Sequence, residues 1–156
     1  FIFTKNCILI KIKKYHSEYF ENCISIFKTN VPHFFDHSEE LLFKKYLLEK
    51  DILYYVLFND DNHIVGSGGY GFNNKTNTVD LTWGMVDSNF HKIGFGRRLT
   101  EYRIQKIKAK YPKCDILLNT TQHTFKFYKK FGFKITKITN DYYALGLDRY
   151  DMINRV

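Results

Sequence analysis

The sequence predicts an α/β domain, in which a mixed sheet is flanked by helices. Three observations predict it. Short runs with strand character recur along the chain, segments with helical spacing of apolar residues stand between them, and no repeat or Pro/Gly/Ser-rich linker divides the 156 residues. A chain of this length forms one domain, residues 1–156, and its 44% apolar content is enough to build a core.

Taken in order, Ile8, Ile10 and Ile12 alternate with Leu9, Lys11 and Lys13, as in a strand with one buried face. Ser17 is placed to cap a helix on which Phe20, Cys23, Ile24 and Phe27 fall at i, i+3, i+4 and i+7. Val31-Pro32 ends that helix, because the residue before proline avoids helical geometry. Asp36 followed by Glu39 reads as a capping box for a second helix running to about Leu48. Residues 53–58 and 64–70 are strand-like runs joined by the turn Asn59-Asp60-Asp61-Asn62. After an Asn- and Gly-rich loop, a strand is expected over 78–86. A long helix then runs from Gly94 to about Lys110, with an apolar arc of Leu99, Ile104, Ile107 and Tyr111, and stops before Pro112. Strands at 115–119 and 133–138 enclose a short aromatic helix at 122–131, and a weakly patterned strand at 144–152 closes the chain.

Composition excludes several classes. Fifteen Phe and 12 Tyr exclude disorder. The longest apolar run, 52–58, is far shorter than the roughly 18 residues of a membrane span. The chain opens on Phe1 rather than Met, which hints that its extreme N-terminus is not intact. No charged-then-apolar leader is visible, which points to the cytoplasm. Cys7, Cys23 and Cys114 are an odd, scattered set without a C-x-x-C pair, and read as reduced, buried thiols. His33 and His37 lack the H-E-x-x-H context of a metal site, so no metal is expected. The net charge of +8 invites an anionic partner. Yet 19 Lys stand against 5 Arg beside 15 Ile and 12 Asn, the bias of an AT-rich genome. Base readers favour the planar fork of Arg, so neither a nucleic acid nor a membrane is expected as partner.

One stretch carries chemistry. His91-Lys92-Ile93-Gly94-Phe95-Gly96-Arg97-Arg98 lies between a strand and a long helix. Its glycines let backbone N–H groups converge, the helix start adds partial positive charge, and Lys92, Arg97 and Arg98 add cations. A pyrophosphate suits such a nest, although a tight turn with a solvated basic face would give the same spacing. The third glycine of G-x-G-x-x-G is missing, since position 99 is Leu, and no P-loop occurs.

Strand, then [Gln/Arg]-x-x-Gly-x-[Gly/Ala], then a long helix resembles the acyl-CoA motif of the GNAT N-acetyltransferases. Asn119 followed by Phe125-Lys126-Phe127-Tyr128-Lys129-Lys130 and Phe131-Gly132-Phe133 resembles that family's "N…FY-x-K-x-GF" segment. The resemblance covers roughly residues 52–153. It implies a mostly antiparallel sheet with helices on both faces, acetyl-CoA as cofactor, and direct transfer of the acetyl group to a primary amine. Met85 and Val86 would end the strand that pairs with pantetheine; residues 92–97, with Arg98 beside them, would hold the pyrophosphate, and Asn119 would belong to the cofactor side. His91 departs from the pattern, having replaced Gln or Arg.

The resemblance also implies site chemistry. Tyr128 would protonate the leaving thiolate, whose conjugate acid has a pKa of about 8.5, against about 10 for a phenol. Only about one lysine-like amine in 2,500 is neutral at pH 7, a cost of about 4.6 kcal/mol, so a base is needed. Asp80 stands where a branch of the family has a glutamate base; a water chain is the alternative. Asp80, Thr82, Gly84 and Val86 share one face of the expected strand, which would point Asp80 toward the same cleft as Val86 and Trp83 away from it. Phe34 and Phe35, in the loop between the first two helices, and Tyr70 would line the acceptor side. A non-catalytic acyl-CoA-binding module is the alternative function, a small basic nucleic-acid binder is a third, and a homodimer is left open.

Overall fold

The computed structural model describes residues 11–156. A seven-stranded sheet runs in the order β1-β2-β3-β4-β5-β7-β6. Its strands are β1 (Lys11–Lys14), β2 (Leu53–Phe58), β3 (Ile64–Asn73), β4 (Thr78–Val86), β5 (Asp115–Thr120), β6 (Lys134–Ala144) and β7 (Leu147–Asn154). Every neighbouring pair is antiparallel except β4 and β5. The helices are α1 (Phe20–Thr29), α2 (Glu39–Leu47), α3 (Phe95–Lys110) and α4 (Phe125–Lys129). The expected sheet flanked by helices is therefore the observed one. Positions 1–10, with Ile8, Ile10 and Cys7, lie outside the described residues.

Two layers of apolar side chains fix which helix covers which face. Cys23, Ile24, Ile26 and Phe27 of α1 and Phe43 and Leu47 of α2 pack on Tyr54, Val56, Phe58 and Met85. On the other face, Phe95 and Leu99 of α3 pack on Leu57, Val65 and Val86, while Ile107 joins Tyr55, Tyr70, Val79, Ile116 and Leu118. Alternation along β2 sends Tyr54 and Val56 one way and Tyr55 and Leu57 the other, which is why this strand is apolar throughout. Cys23 and Cys114 are free and buried. Burial pushes the Cys23 thiol up to about 12.

Local signals explain the helix ends. The Glu39 carboxylate accepts the Asp36 N–H at 2.8 Å, and Asp36 in turn accepts from Ser38 N at 2.9 Å, so the expected capping box forms. Ser17 is not the cap expected of it: a 3-10 turn over Ser17–Tyr19 intervenes, with His16 accepting from Glu18 N, and α1 starts at Phe20. The hairpin of β6 and β7 is longer than the pattern implied, because Tyr142, Tyr143 and Ala144 at the end of β6 are consecutive and give no alternation to read.

Candidate active site

The site begins where two strands separate. β4 pairs with β5 only through Thr78, Val79 and Asp80, opposite Asp115, Ile116 and Leu117. Beyond Asp80, β4 follows β3 while β5 follows β7, so a wedge opens between Leu81–Val86 and the end of β5. The divergence has a local cause. Between Ser67/Met85 and Gly69/Thr82 the register shifts, so that β4 carries one more residue than β3, and Trp83 adopts φ 42°. A bulky residue at positive φ is an outlier that a bulge accounts for, and bulges bend the strand that bears them.

The bulge also corrects the expected face pattern. Val79 and Leu81 pack on the α3 side, which leaves Asp80 on the α1/α2 side. Thr82 is there too, with its hydroxyl 2.9 Å from that of Tyr46 on α2. Trp83 packs into the α1/α2 core and Met85 follows, whereas Val86 lies on the α3 side. Asp80 thus shares a face with Trp83 and not with Val86, because the extra residue reverses the alternation. Tyr70, expected on the acceptor side, is instead buried on the α3 side and stacked on Tyr55 at 6.2 Å.

At the mouth of the wedge stands the N-terminus of α3. Lys92 (φ 63°) and Gly94 (φ 101°) both occupy left-handed backbone, which turns successive N–H groups toward one point. No side chain caps α3, and no acidic residue lies in its first turn. Phe95 is buried, while Lys92, Ile93, Gly94, Arg97 and Arg98 are exposed. A Cβ on Gly96 would touch Phe127 at 3.6 Å and Val86 at 3.8 Å, so α3, α4 and the end of β4 converge there. Free donors, exposed cations and close helix approach fit a bound pyrophosphate.

His91, Met85 and Val86 frame the same mouth. The Val86 carbonyl accepts from Asn30 Nδ2 at 2.9 Å and lies 2.7 Å from His91 Nε2. A ligand amide pairing with that carbonyl would therefore displace the His91 ring. Met85 is buried in the α1/α2 core. Phe34 packs edge-on to His91 at 5.3 Å and to His123 at 6.3 Å, and His33 stacks on His123 at 4.1 Å. The α1–α2 loop thus reaches both lips of the wedge, a contact that sequence reasoning missed because His33, His91 and His123 are far apart in the chain. Burial and the neighbouring His33 together lower the His123 pKa. Phe35 turns inward, stacked on Trp83 at 6.0 Å and tilted against Phe27 at 5.2 Å.

Of the two expected proton-transfer groups, Asp80 stands at the last residue pair before β4 leaves β5, and Tyr128 lies on α4. Asp80 is half-buried, and desolvation raises its carboxyl above the usual range. Tyr128, on α4, packs among Phe127 and Phe133 at 5.1 and 6.0 Å. Asn119 is exposed on β5, where its Oδ1 accepts from Tyr143 Oη at 3.1 Å. Burial pushes the Tyr143 phenol up to about 12. A hollow of about 650 Å³ elsewhere, bordered by Lys14, Tyr15, Phe20, Leu47 and Ile52, touches none of these groups.

The family model of the acetyltransferase (GNAT) domain matches residues 25–155. The chain belongs to the GNAT acetyltransferase family. Solved structures of GNAT enzymes share its fold from end to end. The ribosomal-protein-S18-alanine N-acetyltransferase of Escherichia coli superposes with a TM-score of 0.77 at 15% identity, over 95% of this chain and 96% of that one. Ard1 from Thermoplasma volcanium gives 0.76 at 19% identity, over 94% and 97%. An aminoglycoside 6'-N-acetyltransferase complexed with coenzyme A gives 0.72 at 16% identity, over 92% and 95%. No curated protein matches the sequence. Among the described residues no helix is long and apolar enough to cross a membrane.

Proposed function

We propose that this GNAT protein transfers an acetyl group from acetyl-CoA to a primary amine by direct attack. The parting of β4 and β5 beyond Asp80, with an uncapped helix N-terminus at the mouth, carries the reading. Acetyl-CoA, when bound, supplies the acyl group as an activated thioester. Backbone N–H groups of 92–97 hold the pyrophosphate, with Lys92, Arg97 and Arg98 as cationic neighbours. Asp80, on the α1/α2 side, takes the proton of the incoming ammonium; its raised carboxyl pKa makes it a better base than an exposed aspartate. Tyr128 Oη gives its proton to the leaving sulfur. The acceptor enters from the α1/α2 side, where the loop that carries Phe34 leans on His91. A family likeness to acetyltransferases and the CoA-bound neighbour support this reading.

Thermal unfolding with acetyl-CoA, beside ATP and NAD at equal concentration, tests it. Ligand at 100 times its Kd adds about 2.7 kcal/mol, a rise of several degrees in a domain of this size. A rise with acetyl-CoA alone, followed by amine-dependent thiol release, is expected. No rise at millimolar acetyl-CoA refutes the proposal.

A further inference from the structure

Arg103 is 1% exposed, on the stripe of α3 that faces the sheet. Arg97, Arg149 and Arg155 each meet a carboxylate; Arg103 meets none among the described residues. Its contacts are neutral and long. Nη1 donates to Gly69 O at 3.4 Å and to Thr82 O at 3.5 Å, Nη2 donates to Thr100 Oγ1 at 3.4 Å, and Nε has no partner in the described structure. The guanidinium fills the room left by two absent side chains. A Cβ on Gly68 would lie 3.0 Å from Nη1, and one on Gly84 2.6 Å from Nη2.

A buried, unpaired cation is costly, and an apolar side chain of equal length would serve packing better. Two strands nevertheless carry glycine where they meet this one. Gly84 follows Trp83 directly, so the charge lies against the backbone of the bulge itself. We propose that Arg103 is a positioning residue that holds a positive field under the β4 bulge and stabilises the negative charge developing on the acyl oxygen. This rests on the acetyl-transfer reading above. As the amine nitrogen bonds to the acyl carbon, the carbonyl π pair moves onto oxygen; it returns as the carbon–sulfur bond breaks, with that bond's pair leaving on sulfur. Asp80 takes one proton from the ammonium before attack, Tyr128 gives its proton to sulfur and regains one from the nitrogen as the amide forms, and Arg103 exchanges none. A fixed charge in a low-dielectric surrounding costs no reorganisation at that moment.

The test uses Arg103→Met, which keeps volume and removes charge, and Arg103→Lys, which keeps charge. Each is read by melting, by acetyl-CoA Kd, by the NMR resonance of acetyl-CoA labelled with carbon-13 at the carbonyl, and by kcat. The Met variant is expected to melt at or above the wild-type temperature and to bind acetyl-CoA within about twofold of wild type. Its bound carbonyl resonance returns toward the free position, and kcat falls on the order of tenfold with KM unchanged. The Lys variant retains most of the wild-type carbonyl shift. A Met variant with the wild-type carbonyl resonance and kcat overturns the proposal. So does an equal loss in both variants that follows melting temperature or Kd. Wild-type protein that binds no acetyl-CoA overturns the acetyl-transfer reading first, and this inference with it.

Discussion

Gly84→Ala puts the packing around Arg103 under direct load. The new Cβ would lie 2.6 Å from Nη2, 2.8 Å from Nη1 and 3.0 Å from Cζ. These atoms end a long side chain, but one that is 1% exposed, so they cannot swing into solvent. Overpacking of this kind costs about 1–3 kcal/mol. Removing glycine restricts the unfolded chain and returns about 0.4–1 kcal/mol. Since Gly84 is not in the left-handed region, no backbone strain is added. The net loss is about 1–2 kcal/mol, or about 2–8 °C in melting temperature. Gly71→Ala on β3 is the control, because its Cβ would meet nothing within 4 Å, and its melting temperature is expected to hold or rise slightly. Combining Gly84→Ala with Arg103→Met removes the clashing guanidinium and restores most of the loss, a coupling that a double-mutant cycle reads directly. Gly84→Ala melting within a degree of wild type, or a double variant no more stable than Gly84→Ala alone, refutes the reasoning.

Tyr128→Phe is expected to lower kcat by about 100-fold or more while acetyl-CoA Kd, read by titration, stays within about twofold. Asp80→Asn is expected to lower kcat and to remove the acid limb of its pH profile. Its effect on stability has the opposite sign. The folded-state carboxyl pKa is raised, so its favourable contribution exists below the unfolded value and is lost as pH rises through the folded one. At pH 7 the Asn variant therefore melts above wild type, and the gap closes near pH 4. His33→Ala removes one of the two causes that lower the His123 pKa, burial being the larger. A depressed imidazole loses stability as pH falls below about 6.5, so melting curves of the variant should decline less steeply between pH 7 and 5.

Most of the fold was legible because its signals are local. The strand Thr78–Val86, the helix after Gly94 and the Asp36/Glu39 box depend on residues near one another in sequence. The bulge at Trp83 was not legible: nothing in Leu81-Thr82-Trp83-Gly84-Met85 announces an extra residue, which is defined only by pairing with β3. That one residue decides which side chains of β4 face α1 and α2, so the face assignment failed for Val86 and Trp83 together. Tyr70 failed for a related reason, since its burial depends on Tyr55 across the sheet. Arg103 did leave a trace. Phe95, Leu99 and Ile107 recur every fourth residue or its multiple, and a charge interrupts the stripe where two strands have glycine. Periodicity alone sorts such a residue as polar and exposed.

Direct attack demands that acceptor and thioester be held together rather than that the protein perform elaborate chemistry. The end of α1 meets that demand. Asn30 is 4% exposed, and its Nδ2 donates both to Ile26 O at 2.9 Å, within α1, and to Val86 O at 2.9 Å, at the end of β4. Thr29 Oγ1 donates to Ile26 O at 2.8 Å and accepts from Ser88 N at 3.1 Å, just beyond β4. The loop that carries His33, Phe34 and Phe35 starts at Asn30, so this loop and the strand that leads to the N-terminus of α3 are anchored at a single point. Loops tied at one end to a rigid strand keep their root in register while their tips adapt. The tip here sets Phe34 against His91 and His33 against His123, both beyond the anchored root. Under the acetyl-transfer proposal, this arrangement assigns acceptor choice to the tip of the loop and the geometry of transfer to its root.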